Sequence, residues 1–252
     1  MIGCKAVGAV TVLLAITIGC AGNGQIAKLK SGVEGWNRWR QENPGVRPSL
    51  AGLVGARLDT TLQPGATYYG INLKGVNFRG ADLKAADLGE AKLDSANLDS
   101  AVLDNAGLSV AFFRGARLQG AHLSRADLSG ANFAGASLAG ANLSGAILRA
   151  ADFEAADLRR ANLSGSFLLE ANFASANLQG ANFQKTNIGK AASFYKAKLD
   201  PDVLSEIRTK WPKKLATLWD EAKEDWVVDD TLLAQIMKSV PKVAPPEQKQ
   251  GK

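Results

Sequence analysis

The sequence predicts a mainly β fold: a four-sided β-helical solenoid with a short helical cap at its N-terminal end and a small α-helical cap at its C-terminal end. Three observations predict it. An apolar residue recurs at every fifth position from Leu73 to Ile188, giving 24 centres. Ala stands two places before the centre without a break from Ala81 to Ala161. Phe113, Phe133, Phe153 and Phe173 are each twenty residues apart.

A period of five fits neither regular element. On an α-helix five residues advance the direction by about 140° beyond a full turn, so the leucines would spiral around every face. On a straight strand, odd spacing sends successive leucines to opposite faces. The chain must therefore turn once per repeat. Four turns of about a right angle close a coil, and stacked coils keep every centre inside. The Phe spacing puts four phenylalanines on one wall and sorts the repeats four to a coil. Such a rod is roughly 29 Å long at a strand spacing of ~4.8 Å. Each fully buried Leu or Phe contributes about 1.5–3 kcal/mol, so a narrow rod needs no wide globular core.

Corners come next. Gly75, Gly115, Gly135 and Gly145 end repeats, as tight corners favour. Glu90, Arg160 and Lys185 hold equivalent places, which predicts that not every corner adopts a positive φ.

The run INLKG-VNFRG-ADLKA-ADLGE, continuing through ANLSG and ANFQK to TNIGK, resembles the pentapeptide-repeat family. The resemblance covers roughly half the chain and implies a right-handed quadrilateral β-helix. Leu53 and Leu58 keep the frame while Gln63, Pro64 and Tyr68 break it, and the rod is assigned to residues 51–199. Phe194 and Leu199 stand one residue out of frame with Ile188, so the last coil is either bulged or ends there.

The N-terminal segment carries an address. Lys5 precedes an uncharged stretch of 13 residues, Ala6 to Ile18, too short to span a bilayer and typical of a signal-peptide core. Ile16, Thr17, Ile18, Gly19 and Cys20 resemble a bacterial lipobox. That resemblance implies a signal peptide over 1–19, cleavage before Cys20 and lipidation of its thiol. Ala21 then points by analogy to the outer membrane, facing the periplasm. Cys4 would leave with the signal, so the mature chain would have no free thiol and no disulfide. Losing Lys5 lowers the net charge from +6 to +5, a modest excess that suits a solvated mixed-charge coat.

Residues 20–50 form a tether and N-terminal cap. Ile26 to Asn43 reads as an amphipathic helix with Trp36 and Trp39, stopped by Asn43-Pro44. The string GVEGWNRWRQENPGVRPSLAG is similar to the leader of many pentapeptide-repeat rods. A β-helix leaves backbone and apolar rungs open at both ends, so lids are required. Residues 200–240 supply the other lid as three helices. The first starts at Asp200-Pro201 and carries Val203, Leu204 and Ile207. The second starts at Pro212 with Leu215, Leu218, Trp219 and Ala222. Asp229 or Asp230 caps the third, which holds Leu232, Leu233, Ile236 and Met237. Residues 241–252 read as a disordered tail.

No catalytic set emerges, and no metal or cofactor is expected. His122 is a lone outward histidine, poor material for a metal site or a triad. Asp127, Asp152 and Asp157 share the outward position before the centre, where the resembled family routinely carries Asp or Asn, so their reading is structural. No phosphate-binding loop occurs. A β-helical enzyme acting on polysaccharide would need a carboxylate-lined groove, which a narrow rod hardly offers. No small-molecule substrate is expected.

Nucleic acid is excluded by charge. Relatives in the resembled family include quinolone-resistance proteins that imitate DNA and bind gyrase. Imitation needs dense negative charge, about one per 1.7 Å of duplex. Residues 71–199 instead hold 14 Lys plus Arg against 11 Asp plus Glu, a net of +3. These basic residues are scattered and lack interleaved aromatics, which also argues against direct DNA binding.

One outward feature remains. The residue before each centre is usually polar, yet Val102, Phe112, Ile147 and Phe167 occupy that position. Ile147 and Phe167 fall on one wall in adjacent coils with Leu169 close by, a candidate interaction patch or a seat for a C-terminal helix. The expected function is a non-catalytic, lipid-anchored cell-envelope scaffold or protein-interaction module. It would meet the membrane through Cys20 and a protein or cell-wall partner through its walls. The alternative is a regulator that binds an enzyme such as a DNA topoisomerase, which basic charge and an export signal disfavour.

Overall fold

The computed structural model describes residues 28–29, 32–46, 48 and 70–239. The signal-like start, Cys20, the frame-keeping Leu53 and Leu58 and the tail beyond 240 lie outside the described residues. Within the rod, each residue before a centre forms one parallel bridge to the residue twenty places on, from Asn72–Lys92 to Asn162–Asn182. A coil is therefore twenty residues and has four walls. The first wall holds Leu73, Leu93 and the Phe series, the second Phe78 and Leu98. The third holds Leu83 and Leu103, and the fourth Leu88, Leu108, Leu128, Leu148 and Leu168. All these centres are buried, as is every Ala from Ala81 to Ala161 that precedes one.

The side chains explain the fit. Phe113, Phe133, Phe153 and Phe173 stack with centroids 4.6, 4.9 and 5.2 Å apart and planes within 4° of parallel. Ala brings only a methyl group to the corner, and Leu or Phe fills the axis. Backbone groups are satisfied between coils, as when Leu83 N–H donates to the Val102 carbonyl at 2.7 Å and Val102 N–H to the Ala81 carbonyl at 2.9 Å.

Every corner is the same turn. The Leu83 carbonyl accepts the Ala86 N–H at 3.0 Å, and Ala85 between them has φ 53°. A positive φ at the second central residue defines a type II turn. All 23 corners from Gly75 to Lys185 adopt it, and 13 of them are not glycine. This corrects the expectation for Glu90, Arg160 and Lys185, whose φ values are 55°, 57° and 59°. The left-handed conformation costs an L-residue about 1–2 kcal/mol. A bond to the next coil (Glu90 N–H to the Ser109 carbonyl, 2.8 Å) and two buried neighbours hold it in place.

The ends are covered by different means. Helix α1 (Val33–Glu42) follows Gly32 at φ 92°, which interrupts the helix expected from Ile26 to Asn43; residues 28 and 29 before it are helical as well. It lies along the open edge of the first coil. Trp36 Nε1 donates to the Asn77 carbonyl at 2.8 Å, Asn37 Nδ2 to Gly75 at 2.8 Å and Arg40 Nη2 to Arg79 at 2.8 Å. Asn77 N–H returns a bond to Asn37 Oδ1 at 2.7 Å, and Trp36 meets Phe78 edge-on at 5.5 Å. Three side chains one helical face apart thus occupy edge groups that would otherwise face water.

At the other end the last coil contains one extra residue. Bridges become Asn172–Ser193 and Asn177–Lys198, and a 3-10 turn at Ile188–Lys190 absorbs the insertion. The coil is therefore bulged and continues. Helix α2 (Pro201–Lys210) buries Ile207 against it, and a 3-10 turn (Pro212–Leu215) adds a partial rung. There Phe194 N–H donates to the Lys214 carbonyl at 2.7 Å, and buried Leu215 takes the centre position. The Asp200 side chain accepts the Gly180 N–H at 2.8 Å, so it serves the rod edge instead of capping α2.

The expected second helix is absent. Strands β1 (Thr217–Asp220) and β2 (Asp225–Val228) form an antiparallel hairpin with Trp219 opposite Trp226. Leu218 facing Val227 and the paired tryptophans are strong cross-strand partners, and these outweigh the helical spacing of Leu215, Leu218 and Ala222. Helix α3 (Asp230–Ser239) follows, with Leu232 N–H bonded to Asp229 Oδ1 at 2.9 Å.

Candidate interaction surface

The position before the centre decides what each wall presents. Where it is Asp or Asn, the side chain accepts the N–H two residues on, an Asx turn that stiffens the corner. Asp127 takes Ser129 N–H at 3.0 Å and its hydroxyl at 2.7 Å. Asp152 takes Glu154 N–H at 3.1 Å and Asn172 Nδ2 at 2.9 Å. Asp157 takes Arg159 N–H at 3.2 Å and both guanidinium donors at 2.8 and 2.7 Å. The Arg159 hydrogen bond holds the Asp157 carboxyl below its ordinary range. All three carboxylates thus serve hydrogen bonds of their own corner or of the neighbouring coil. On the third wall Asn142, Asn162 and Asn182 form a ladder: Asn182 Nδ2 donates to Asn162 Oδ1 and Asn162 Nδ2 to Asn142 Oδ1, both at 3.2 Å, while Asn142 Nδ2 ends it on the Ser124 hydroxyl at 2.9 Å.

Three corners lack that acceptor and borrow one. Phe112, Arg117 and His122 cannot accept for the residue two places on. Instead Arg114 N–H donates to Asp94 at 3.2 Å, Gln119 N–H to Asp99 at 3.0 Å and Ser124 N–H to Asp104 at 2.9 Å. Each donor is twenty residues from its carboxylate, one coil away. Asp99 also holds the Arg117 guanidinium. The sequence carries the signal in the run LDSANLDSAVLDNA, which becomes legible once twenty-residue stacking is applied.

The fourth wall has neither device at its end. Ile147 bridges Phe167, placing the two in adjacent coils as the spacing predicts. Phe167 is 59% exposed, Ile147 41% and Leu169 38%, so no described helix covers the patch. The regular column stops there because Leu168 N–H bonds the Asn187 side chain at 2.7 Å as the bulge begins. Val110 and Phe112 are also exposed, but they lie around the next corner and two coils back. Val110 escapes the sequence reading because it occupies a corner and not the position before a centre.

A shallow groove of about 710 Å³ runs along one corner, lined by Gly140, Arg159, Arg160 and Gly180. The recess exists because the corner glycines offer no side chain, and the Arg160 stem leans over Gly180. Exposed His122 sits between Val102 and Asn142, remote from any metal-like set. Among the described residues no cluster of His, Cys, Asp and Glu is placed to hold a metal, and no helix is long and apolar enough to cross a membrane.

Comparison with known proteins follows the repeat. Pentapeptide repeats match residues 71–109, 111–149 and 151–188. A pentapeptide repeat protein from Nostoc PCC 7120 is similar at 36% identity over 39% of this chain and 84% of its own, with a TM-score of 0.21. Rfr23, from the cyanobacterium Cyanothece 51142, is similar at 22% identity over 65% of this chain and 97% of its own, with a TM-score of 0.38. QnrB1, a plasmid-mediated fluoroquinolone resistance protein, is similar at 21% identity over 54% of this chain and 80% of its own, with a TM-score of 0.30. No curated protein matches.

Proposed function

The chain belongs to the pentapeptide-repeat family, and from that membership we propose a non-catalytic interaction rod, held to the bacterial envelope by lipid on Cys20, that offers its fourth wall to a protein partner. The observation that carries the reading is the contrast between walls. Carboxylates and amides on the outside are committed to Asx turns and ladders, whereas the side chains of Ile147, Phe167 and Leu169 form an exposed apolar strip. Apolar side chains at such positions favour a contact surface. The lipid anchor rests on the lipobox-like Ile16–Cys20 segment.

Two experiments test the two parts. Labelling with a fatty-acid analogue should mark the protein and be abolished by Cys20→Ala; recovery of unlabelled, soluble wild-type protein would remove the anchor. Cross-linking in the native envelope should capture a protein at Phe167. Replacing Phe167 with Ser should abolish that capture while the rod stays folded.

A further inference from the structure

The exposed strip of the fourth wall is its own complement. Ile147 and Phe167 share a column in adjacent coils, and beyond the buried centres Arg149 and Leu169 share the next. The corner column that edges the wall runs Val110, Gly130, Ala150, Glu170 and Lys190. Trp211 ends it. The Phe194 N–H meets the Lys214 carbonyl as the Phe173 N–H meets that of Ser193, so Lys214 continues the column of Ser193. Trp211, three residues before Lys214, then stands one rung above Lys190, where its indole covers Gly189.

One two-fold axis matches this surface to itself. Laid across the wall along the strand direction, midway between the coils of Ile147 and Phe167, it sets a second copy face to face and antiparallel. Ile147 of each copy then faces Phe167 of the other. Arg149 faces Leu169 with Glu170 at the corner beside it, and Val110 faces Trp211. Arg149 and Glu170 are exposed, and among the described residues the side chain of neither has an ion-pair partner. Val110 is 49% exposed, and the Trp211 it meets borders a recess of about 510 Å³. A copy turned about the rod axis would instead set Glu170 and Val110 against the wall's other edge, where Ser166 and Ala106 are buried.

We propose that the partner of the fourth wall is a second copy of this chain, docked antiparallel about that axis. The proposal rests on the reading of the fourth wall as a contact surface and names its occupant. Symmetry makes every contact twice: two Ile147–Phe167 pairs, two Arg149–Glu170 ion pairs and two Val110–Trp211 pairs. One wall of a rod roughly 29 Å long is a small surface. It falls at the low end of specific interfaces, below about 1,200 Å² in total, so the dimer is reversible and forms where chains are concentrated.

A photoreactive phenylalanine analogue in place of Phe167, in the full chain in its native envelope, tests the arrangement. The cross-linked species should be two copies of this chain, joined from position 167 of one to the neighbourhood of Ile147 in the other. Arg149→Glu and Glu170→Arg should each lower the yield about tenfold, because each creates two like-charge contacts. The two together should restore it. Val110→Asp should also lower the yield, whereas Arg125→Glu, at a corner of the third wall, should leave it unchanged. Circular dichroism of each variant should match the wild type. A link from 167 to the neighbourhood of Leu169, or a yield indifferent to both charge reversals, overturns the arrangement. A link to a different protein overturns the second copy and leaves the fourth wall as a contact surface; no link to any protein removes both.

Discussion

Phe194 stacks on Phe173 with centroids 5.3 Å apart and planes 7° from parallel, although 21 residues separate them where 20 separate every earlier pair. The extra residue is taken up entirely in the 3-10 turn at Ile188–Lys190, so the aromatic column passes the irregularity intact. The turn is held by a close approach: a Cβ on Gly189 would lie 2.3 Å from Trp211 Cε2. Gly189→Ala should therefore displace the indole and lower stability by about 1–3 kcal/mol, measured by denaturant unfolding.

Corner strain makes a second prediction, with the opposite sign. Val110 holds φ 57°, a conformation that a β-branched residue adopts only under constraint. Val110→Gly should stabilise by about 0.5–1 kcal/mol, since relief of left-handed strain exceeds the added unfolded-state entropy. Gly140→Ala, at φ 66° with open space around it, should cost a similar amount. Thermal melts of both against wild type check the pair; destabilisation by Val110→Gly would mean that its packing on Gly130 outweighs the strain.

The borrowed carboxylates predict a suppressor. Asp99→Ala strips the acceptor from Gln119 N–H and from the Arg117 guanidinium, and should cost about 1–3 kcal/mol. Adding Arg117→Asn restores an acceptor within the same coil, as Asn97 supplies for Asp99 N–H at 3.1 Å. The double variant should then regain most of the loss. A double-mutant cycle of unfolding free energies measures this coupling, and simple additivity would reject the relay.

Phe167 separates surface from core. At 59% exposure with no covering helix among the described residues, Phe167→Ser should change unfolding free energy by no more than about 0.5 kcal/mol. Loss of partner cross-linking at unchanged stability is the expected pair of results. A drop of several kcal/mol would assign Phe167 to an intramolecular contact instead.

These cases mark how far the residues could be read in order. Leu73 to Ile188 announce the rod because one period serves both burial and turning. Ile147 and Phe167 could be placed together because twenty-residue stacking follows from that period. The corners were misread at Glu90, Arg160 and Lys185 because glycine is favoured at positive φ, while the turn itself is imposed by the coil and overrides side-chain preference. The hairpin at Thr217–Val228 was hidden because Leu215, Leu218 and Ala222 also satisfy helical spacing, and only cross-strand pairing of Trp219 with Trp226 decides between the two.

Lys214 supplies a prediction with a worked sign. Burial and Lys190 lower its pKa in the folded chain, so the neutral amine is favoured there relative to the unfolded state. Between the depressed folded pKa and the unfolded value of about 10.4, the unfolded chain binds more protons. Stability in that window must therefore rise with pH, and below it the charged lysine is a constant liability. Tm measured from neutral to alkaline pH should contain a rising component in the wild type that is missing in Lys214→Met, taken as the difference between the two curves. Removing the charge should also leave the variant at least as stable as the wild type near pH 7.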